Sequence, residues 1–336
     1  MKTFLLRQPF LFNTLLVSLA LVLSVAVGSV FIPPGELLQS MLGTPLSATS
    51  ATIIFDVRLP HTILVALTGA ALAGSGAAYQ GLFRNPLADP YLIGVASGAG
   101  LGAVLVLSQS WPSTPLGFYA IPAAAFLGAL LAVSVVLAIA RIGKTVPVTT
   151  MLLAGIAVSS FATALSSFVM LYSENELRRA IAWLLGGASL SGWQPVLAAL
   201  PYIAVGLGVL LISGHQLNVL QLGEEQAQQL GLPVERIKFV LIAAASLAAA
   251  AAVAFSGMIG FIGLIVPHAL RLVWGGDYRR LLPLSILGGA AVLLLADLLA
   301  RSVFAPQVLP VGILTALAGV PFFLWLLRRA RAQMIW

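Results

Sequence analysis

The sequence predicts an all-α polytopic membrane protein, and three observations support this fold class. Of the 336 residues, 60% are hydrophobic and only 8% are charged, whereas soluble domains carry about 25% charged residues. The apolar residues form long stretches, comparable to the ~20 residues that a spanning helix needs. Glycine (32) and proline (19) are frequent, as expected where small residues let helices pack closely in lipid. This composition excludes a water-soluble protein and a nucleic-acid binder.

Charges and clusters of proline and glycine divide the chain into ten predicted spans within a single transmembrane domain, residues 1–336. In chain order the spans are 10–32, 60–82, 92–109, 117–140, 148–171, 193–213, 239–256, 259–274, 281–303 and 311–328. The third and eighth spans are short, and Pro267 inside the eighth predicts a broken helix. The first apolar run exceeds the ~7–15 residues of a signal-peptide core, so we expect it to be retained.

The distribution of positive charge predicts the orientation of these spans. When the N-terminus is placed inside, only four of the 17 Lys and Arg residues fall on the outer side. Those four are Arg58, Arg178, Arg179 and Arg301. Basic residues concentrate in cytoplasmic loops, so we expect a multi-pass protein of the cell inner membrane with both termini in the cytoplasm.

A weak internal similarity predicts an inverted repeat. A shift of the chain superposes Ser75 on Ser256, Gly76 on Gly257, Pro86 on Pro267, Ala88 on Ala269 and Gly94 on Gly275. The second and seventh predicted spans cross the membrane in opposite directions, so the two halves would be related by inversion. Such repeats place a pathway at the interface between the halves; chance matches in an apolar background are the alternative.

The longest connection on the predicted cytoplasmic side, residues 214–238, predicts an interaction segment. Apolar residues lie among Glu and Gln, so 219–230 is predicted to be an amphipathic helix that ends at Gly231 and Pro233. A second short helix is expected to start near Val234. An acidic helix with apolar anchors fits a groove on a partner protein. The alternative is a helix that lies on lipid, which usually needs basic and aromatic residues.

Several stretches of the sequence resemble the FecCD or vitamin B12 type of permease subunit of ABC importers for iron–siderophore, haem or cobalamin. The resemblance runs in order through residues 58–102, 257–272, 279–301 and 309–327, and includes the strings NPLADP at 85–90 and GFIGLIVPH at 260–268. It implies the type II ABC importer permease fold with ten transmembrane helices. The same resemblance makes an iron–siderophore the first expected cargo, with haem or vitamin B12 as the alternative.

The resemblance also implies the partners of the chain. They are a second copy of the chain, two cytoplasmic ATPase subunits that bind ATP and Mg, and a periplasmic substrate-binding protein; the chain itself would hold no cofactor. Segment 214–238 then matches the coupling helices of the family. The implied ATPase-coupling residues are Leu222, Glu224, Glu225, Ala227, Leu230, Gly231, Leu232, Pro233 and Arg236. Gln226 departs from the alanine that is usual in the wider importer motif.

Arg58 and Arg301 open and close two predicted spans on the outer side. In relatives such as the vitamin B12 permease, arginines at these places meet glutamates of the binding protein, and His61 stands where that relative has a further arginine. Guanidinium groups suit this task because they bind carboxylates bidentately. The alternative is structural: Asp297, the one acid inside a predicted span, lies four residues before Arg301 and can pair with it.

The fifth predicted span carries the candidate translocation path. Its hydroxyl residues Ser159, Thr163, Ser166 and Ser167 recur near helical spacing. Hydroxyls that bond back to their own helix are the alternative interpretation. The resemblance places this span along the axis of a dimer and makes Thr149 and Thr150, at its cytoplasmic start, the gate candidates.

Two other classes of function compete with the importer hypothesis. An ion-coupled secondary transporter normally needs an acid at the membrane midplane, and only Asp297 is available. An intramembrane enzyme needs a paired nucleophile and base or clustered metal ligands. The chain has no cysteine and three scattered histidines, so we expect no catalytic residue and no metal site. His268, beside Pro267, is interpreted as a packing group.

Overall fold

The computed structural model describes residues 8–28, 35, 48–109, 115–172, 177–187, 192–303, 305 and 307–333. The basic residues Lys2 and Arg7, which supported the predicted orientation, lie outside this part of the chain, as does the end of the first predicted span.

The described part of the chain is helical, without named strands. The helices are α1 (Pro9–Ala26), α2 (Ala48–Thr52), α3 (Leu59–Leu82), α4 (Val95–Leu107), α5 (Pro115–Ala140), α6 (Val148–Leu171), α7 (Leu177–Leu184), α8 (Trp193–Ile212), α9 (Gly214–Leu220), α10 (Glu224–Gln229), α11 (Val234–Ser256), α12 (Ile262–Trp274), α13 (Tyr278–Ser302) and α14 (Val311–Gln333). A π-helical turn (Ile53–Arg58) joins α2 to α3, and a 3-10 turn (Pro90–Ile93) precedes α4.

The helices confirm a polytopic membrane protein. Seven helical segments in the described part of the chain are long and apolar enough to cross a membrane: Pro9–Ala26, Thr49–Leu82, Tyr119–Ala140, Val148–Leu171, Trp193–Ile212, Val234–Ser256 and Tyr278–Ser302. Three further apolar helices are shorter, at Val95–Leu107, Ile262–Trp274 and Val311–Trp325. Each predicted span coincides with one of these ten segments, but the count of ten spans and the inverted repeat remain predictions.

Helices α3, α11 and α13 form the interior of the bundle, and α1 and α6 lie at its periphery. The buried share of the most apolar window is 83% for the segment that contains α3, but 22% for α1 and for α6. Polar side chains join the interior helices: Ser75 donates to the carbonyl of Ala245 at 2.9 Å, and the Thr68 and Ser256 hydroxyls lie 2.7 Å apart. In lipid such bonds hold helices together where apolar burial contributes little.

Glycines bring the backbones of neighbouring helices into direct contact. A Cβ atom on Gly69 would overlap the carbonyl of Gly289 in α13, and one on Gly98 would overlap that of Gly128 in α5. A Cβ on Gly76 would overlap the carbonyl of Gly263 in α12. The glycines in these helices therefore set how closely the helices approach.

The eighth predicted span is short rather than broken at its proline. Helix α12 continues through Pro267, and the chain leaves helical geometry before it, at residues 257–261. Gly257 and Phe261 both have positive φ angles, of 68° and 69°. The Tyr91 hydroxyl fastens this segment, because it donates to the Ile259 carbonyl at 2.9 Å and accepts from the Ile259 N–H at 3.1 Å. The prediction of a helix broken at Pro267 was therefore wrong.

Four connections meet at one end of the bundle, which we call the basic end. They are residues 83–89, 141–147, 213–233 and 275–277. The Gln221 amide donates to the Gly81 carbonyl at 2.8 Å, and the Asn218 amide donates to Asp277 at 2.6 Å. The opposite end carries Arg58, Asp297 and Arg301.

Asp89 in the NPLADP string caps the 3-10 turn from a largely desolvated position. One of its carboxylate oxygens accepts from the Tyr91 N–H at 2.9 Å. Loss of hydration on burial raises the pKa of Asp89 to about 6, although the backbone bond from Tyr91 opposes the shift. In the unfolded chain the pKa of Asp89 has its ordinary value, so its carboxyl group loses its proton at a lower pH than in the folded protein.

This difference predicts that Asp89 makes stability fall as pH rises from about 4 through about 6, because the folded protein binds more protons there. Asp89→Asn is expected to remove that fall, since asparagine keeps the capping oxygen without the charge. Thermal unfolding in detergent across this range measures it. Asp277→Asn is the matched control: Asp277 caps α13, but its pKa is lowered by the Asn218 amide, so its pH dependence lies at lower pH. Parallel profiles for wild type and Asp89→Asn would contradict the assignment.

Candidate functional site

At the basic end, the stretch predicted as one helix over 219–230 is divided between two short helices. Helix α9 ends at Leu220 and α10 begins at Glu224, with Gly223 between them at a φ of 113°. The predicted helix over 219–230 was therefore wrong in its bounds, because this glycine reverses the chain where continuous helix was expected. The second predicted helix does begin at Val234, but it is the 23-residue α11 and not a short element.

Helix α10 has one buried side and a protruding apolar and acidic surface. Ala227 is 0% exposed, whereas Leu222 and Leu230 are 55% and 66% exposed. Glu225 is also exposed. Gly231, with a φ of 85°, and Pro233 follow the helix and end it, as the sequence predicted. The segment therefore presents leucines and a carboxylate outward.

Hydrogen bonds to neighbouring connections fasten α9 to the rest of the bundle. The Asn218 side chain donates to Asp277, and its oxygen accepts from the Tyr278 N–H at 2.8 Å. The Gln221 amide reaches the C-terminal end of α3 at the Gly81 carbonyl. These bonds hold the segment against α3 and α13 while its outer surface stays exposed.

The remaining predicted coupling residues differ in their exposure and in their bonds. Arg236 and Pro233 are exposed, and Leu232 is half-buried. Glu224 is half-buried and its carboxylate bonds inward to Lys238 at 3.0 Å. The structure thus divides the predicted set into an outward group around Glu225 and an inward-facing Glu224.

Lys238 and Glu235 form a charged cluster that the sequence reasoning missed. The Lys238 side chain is buried, and its ammonium lies 2.7 Å from Glu235 and 3.0 Å from Glu224. The signal available in the sequence was the i,i+3 spacing of Glu235 and Lys238 in the short helix predicted to start near Val234, just before the predicted span 239–256. Sequence reasoning assigned Lys238 to the positive charges of the inner side, where a solvated lysine is the usual expectation.

The predicted path residues lie on a broad sector of helix α6, and they differ in how far they are buried. Thr163 and Ser167 are exposed, Ser159 is half-buried and Ser166 is buried. The Ser166 and Ser167 hydroxyls donate to carbonyls one turn earlier, at 2.8 and 3.0 Å. Thr149 and Thr150 lie in the first turn of α6, Thr149 exposed and Thr150 half-buried.

The predicted docking residues at the opposite end are turned into the protein. Arg58 is 7% exposed and donates to the carbonyls of Val25 and Ala26, at the end of α1. Asp297 accepts from the Arg301 guanidinium at 2.8 Å, and the His61 ring nitrogen lies 3.1 Å from the same carboxylate. The structural pair Asp297–Arg301 therefore forms within a larger cluster that also holds α1.

This combination defines a class of protein: a helical membrane protein built around tightly packed interior helices, with an anchored pair of short polar helices at its basic end. The sequence profile of the FecCD transport family matches residues 15–329. The chain belongs to this family, and it is a permease subunit of an ABC importer.

Relatives with different named cargoes align with most of the chain. The chain is 49% identical over 280 residues to a cobalamin import system permease, BtuC, of Halobacterium salinarum, covering 83% of this chain and 74% of that one. It is 41% identical to the hemin transport permease HmuU of Yersinia pestis, covering 84% of each. It is 38% identical to the Fe(3+)-citrate import permease YfmE of Bacillus subtilis, covering 97% and 98%.

A solved structure of a metal-chelate type ABC transporter in an inward-facing conformation has the same architecture. It superposes with a TM-score of 0.84 at 30% identity and covers 98% of this chain and 100% of that one. The likeness therefore extends over nearly the whole chain.

Proposed function

We propose that this chain moves an iron–siderophore from the periplasm to the cytoplasm as the permease of an ATP-driven importer in the cell inner membrane. Haem and vitamin B12 are the alternative cargoes, in keeping with the hemin and cobalamin systems named for two relatives. All three are bulky metal chelates. The observation that carries the proposal is the anchored α9–α10 segment, which presents Leu222, Leu230 and Glu225 outward at the basic end.

In this proposal the basic end faces the cytoplasm, and both termini lie on that side. Exposed leucines flanked by charge are suited to a groove on a partner protein. Each of two ATPase subunits would receive one α9–α10 segment, and the ATP and Mg would be bound by those subunits. Closure of the ATPase pair would move the segments and bias the permease between its inward-open and outward-open states.

A second copy of the chain would cover α6. This helix is buried along one stripe, while Leu153 and Phe161 are strongly exposed. The same exposed sector carries Thr163 and Ser167, so two copies would place weakly polar walls around a central path with Thr149 and Thr150 near its cytoplasmic gate. Passage requires that no wall residue binds the cargo tightly.

The periplasmic substrate-binding protein would dock at the opposite end, near Arg58, His61 and Arg301. The arginines already bond to α1 and to Asp297, so their proposed role is to shape this face. The same bonds disfavour an ion-coupled secondary transporter, because Asp297, the one acid inside a predicted span, is held by Arg301 and His61 near the end of α13.

Charge reversal tests the coupling assignment. Glu225→Arg together with Arg236→Glu is expected to abolish co-purification of the ATPase and reduce uptake by about tenfold or more, because both side chains are exposed at the proposed docking surface. Arg141→Glu, an equally exposed reversal at the same end, is the control and should preserve both. Normal co-purification and transport by the double variant would show that the coupling assignment is wrong.

Cargo identity is tested by the ATPase activity of the reconstituted importer with its binding protein. We expect a ferric siderophore to stimulate hydrolysis several-fold in sealed vesicles, with hemin and cobalamin as parallel additions. Stimulation by hemin or cobalamin alone would replace the siderophore with that chelate and leave the permease function intact. Transport driven by an ion gradient without ATP would overturn the importer mechanism itself.

A further inference from the structure

Lys238 connects α10, the start of α11 and the connection that leads into α6. Its side chain is 4% exposed, and its ammonium lies 3.0 Å from Glu224 in α10 and 2.7 Å from Glu235 in α11. It also donates to the carbonyl of Val146 at 3.0 Å. A lysine ammonium has three N–H donors, so these three oxygens account for all of them.

Val146 belongs to the residue pair, Val146 and Pro147, that leads into α6. The second carboxylate oxygen of Glu235 accepts from the Val146 N–H at 3.1 Å, so the first turns of α11 hold both polar backbone groups of Val146. Pro147 follows and caps α6 with a φ of −64°. Because proline fixes φ, little freedom remains between Val146 and the first turn of α6, where Thr149 lies.

Burial makes this connection stiff. Hydrogen bonds in which one group is charged are stronger than those between neutral groups. Breaking such a bond in the interior is costly, because it leaves a buried charge without its partner. The Glu224 and Glu235 side chains are 36% and 29% exposed, so each carboxylate keeps contact with solvent while the lysine between them does not. The route from α10 to α6 therefore passes through one buried cation.

We propose that Lys238, positioned by Glu235, transmits the displacement of α10 to the start of α6. The inference rests on the proposed function, because it assumes that an ATPase moves α10. Lys238 is a positioning residue: it touches neither nucleotide nor cargo, and its effect is on the coupling between hydrolysis and the opening of α6.

The experiment compares Lys238→Met with Lys144→Met in the complete importer in proteoliposomes. Lys144 is an exposed lysine in the same connection as Val146, which makes it a matched control. Lys238→Met is expected to retain ATPase binding and hydrolysis while uptake per ATP falls about tenfold. Lys144→Met should leave that ratio unchanged. A purely structural role would lower uptake and hydrolysis together and keep their ratio, and that result would overturn the proposal.

Spin labels measure the transmission directly, since the chain contains no cysteine. Gln228→Cys reports on α10 and Ile142→Cys reports on the connection that leads into α6, and both positions are exposed. On addition of a non-hydrolysable ATP analogue, we expect both labels to move in the otherwise wild-type importer. With Lys238→Met, only the α10 label should move. Movement of both labels in that variant would overturn the link.

Two further results keep the outcomes distinct. If Lys238→Met does not fold, Glu224→Gln removes the charge of the α10 arm alone and is expected to lower uptake per ATP in the same direction; an unchanged ratio would overturn the proposal. If the otherwise wild-type chain neither binds the ATPase nor moves its α10 label, the proposed function fails, and with it the premise of this inference.

Discussion

Gly76→Ala is expected to destabilise the protein by about 3 kcal/mol, at the upper end of the range for overpacked interiors. The added Cβ would overlap the backbone carbonyl of Gly263 in α12. Backbone atoms cannot rotate away as a flexible side chain can, so α3 and α12 would have to separate. Gly263 has little room to retreat, because a Cβ built on it would lie 2.8 Å from the Pro90 ring and 2.9 Å from the Leu72 carbonyl.

The measurement is the free energy of unfolding of the purified protein in detergent. Gly208→Ala is the matched control, since Gly208 also lies within a helix, α8, but apart from the adjoining residues and backbone of that helix no atom lies within 4 Å of its added Cβ. There alanine should stabilise by about 0.5–1 kcal/mol, because glycine loses more backbone entropy on folding. Equal effects of the two substitutions would show that the α3–α12 contact is looser than described.

Asp297→Ala is expected to destabilise the protein by about 3–5 kcal/mol, the range for breaking one side of a buried ion pair. Asp297 is 4% exposed and accepts from Arg301 and His61. Arg301 also contacts the Ser24 hydroxyl at 3.0 Å, and Arg58 bonds to the adjoining carbonyls of α1. Without the carboxylate, the half-buried guanidinium of Arg301 would lose the acid that it bonds to.

A double-mutant cycle separates this pair from general damage. The double variant Asp297→Ala with Arg301→Ala should lose less stability than the sum of the two single variants. Each single variant leaves one buried charge without its partner, whereas the double variant removes both charges. Asp56→Ala, an exposed aspartate at the same end, should change stability by less than about 0.5 kcal/mol. Strict additivity of the Asp297 and Arg301 effects would contradict a direct coupling between them.

The position of the apolar helices could be predicted from the sequence because hydropathy is a local property. Each predicted span falls on a helix, and the end of α10 at Gly231 and Pro233 follows from residues that cannot continue a helix. The lengths were less predictable. α12 is short because residues 257–261 unwind, where Gly257 approaches the Trp183 carbonyl, and that approach depends on how distant segments pack.

The sequence by itself determined the membrane class, the family and the polar segment that the proposed function uses, since these depend on composition and on strings of adjacent residues. Only the tertiary structure decided what the charged side chains do: Lys238 bonds to Val146 across 92 positions, and Arg58 bonds to Val25 across 33. A charge in a low-dielectric interior needs a partner, and which partner it finds depends on the helices that meet there.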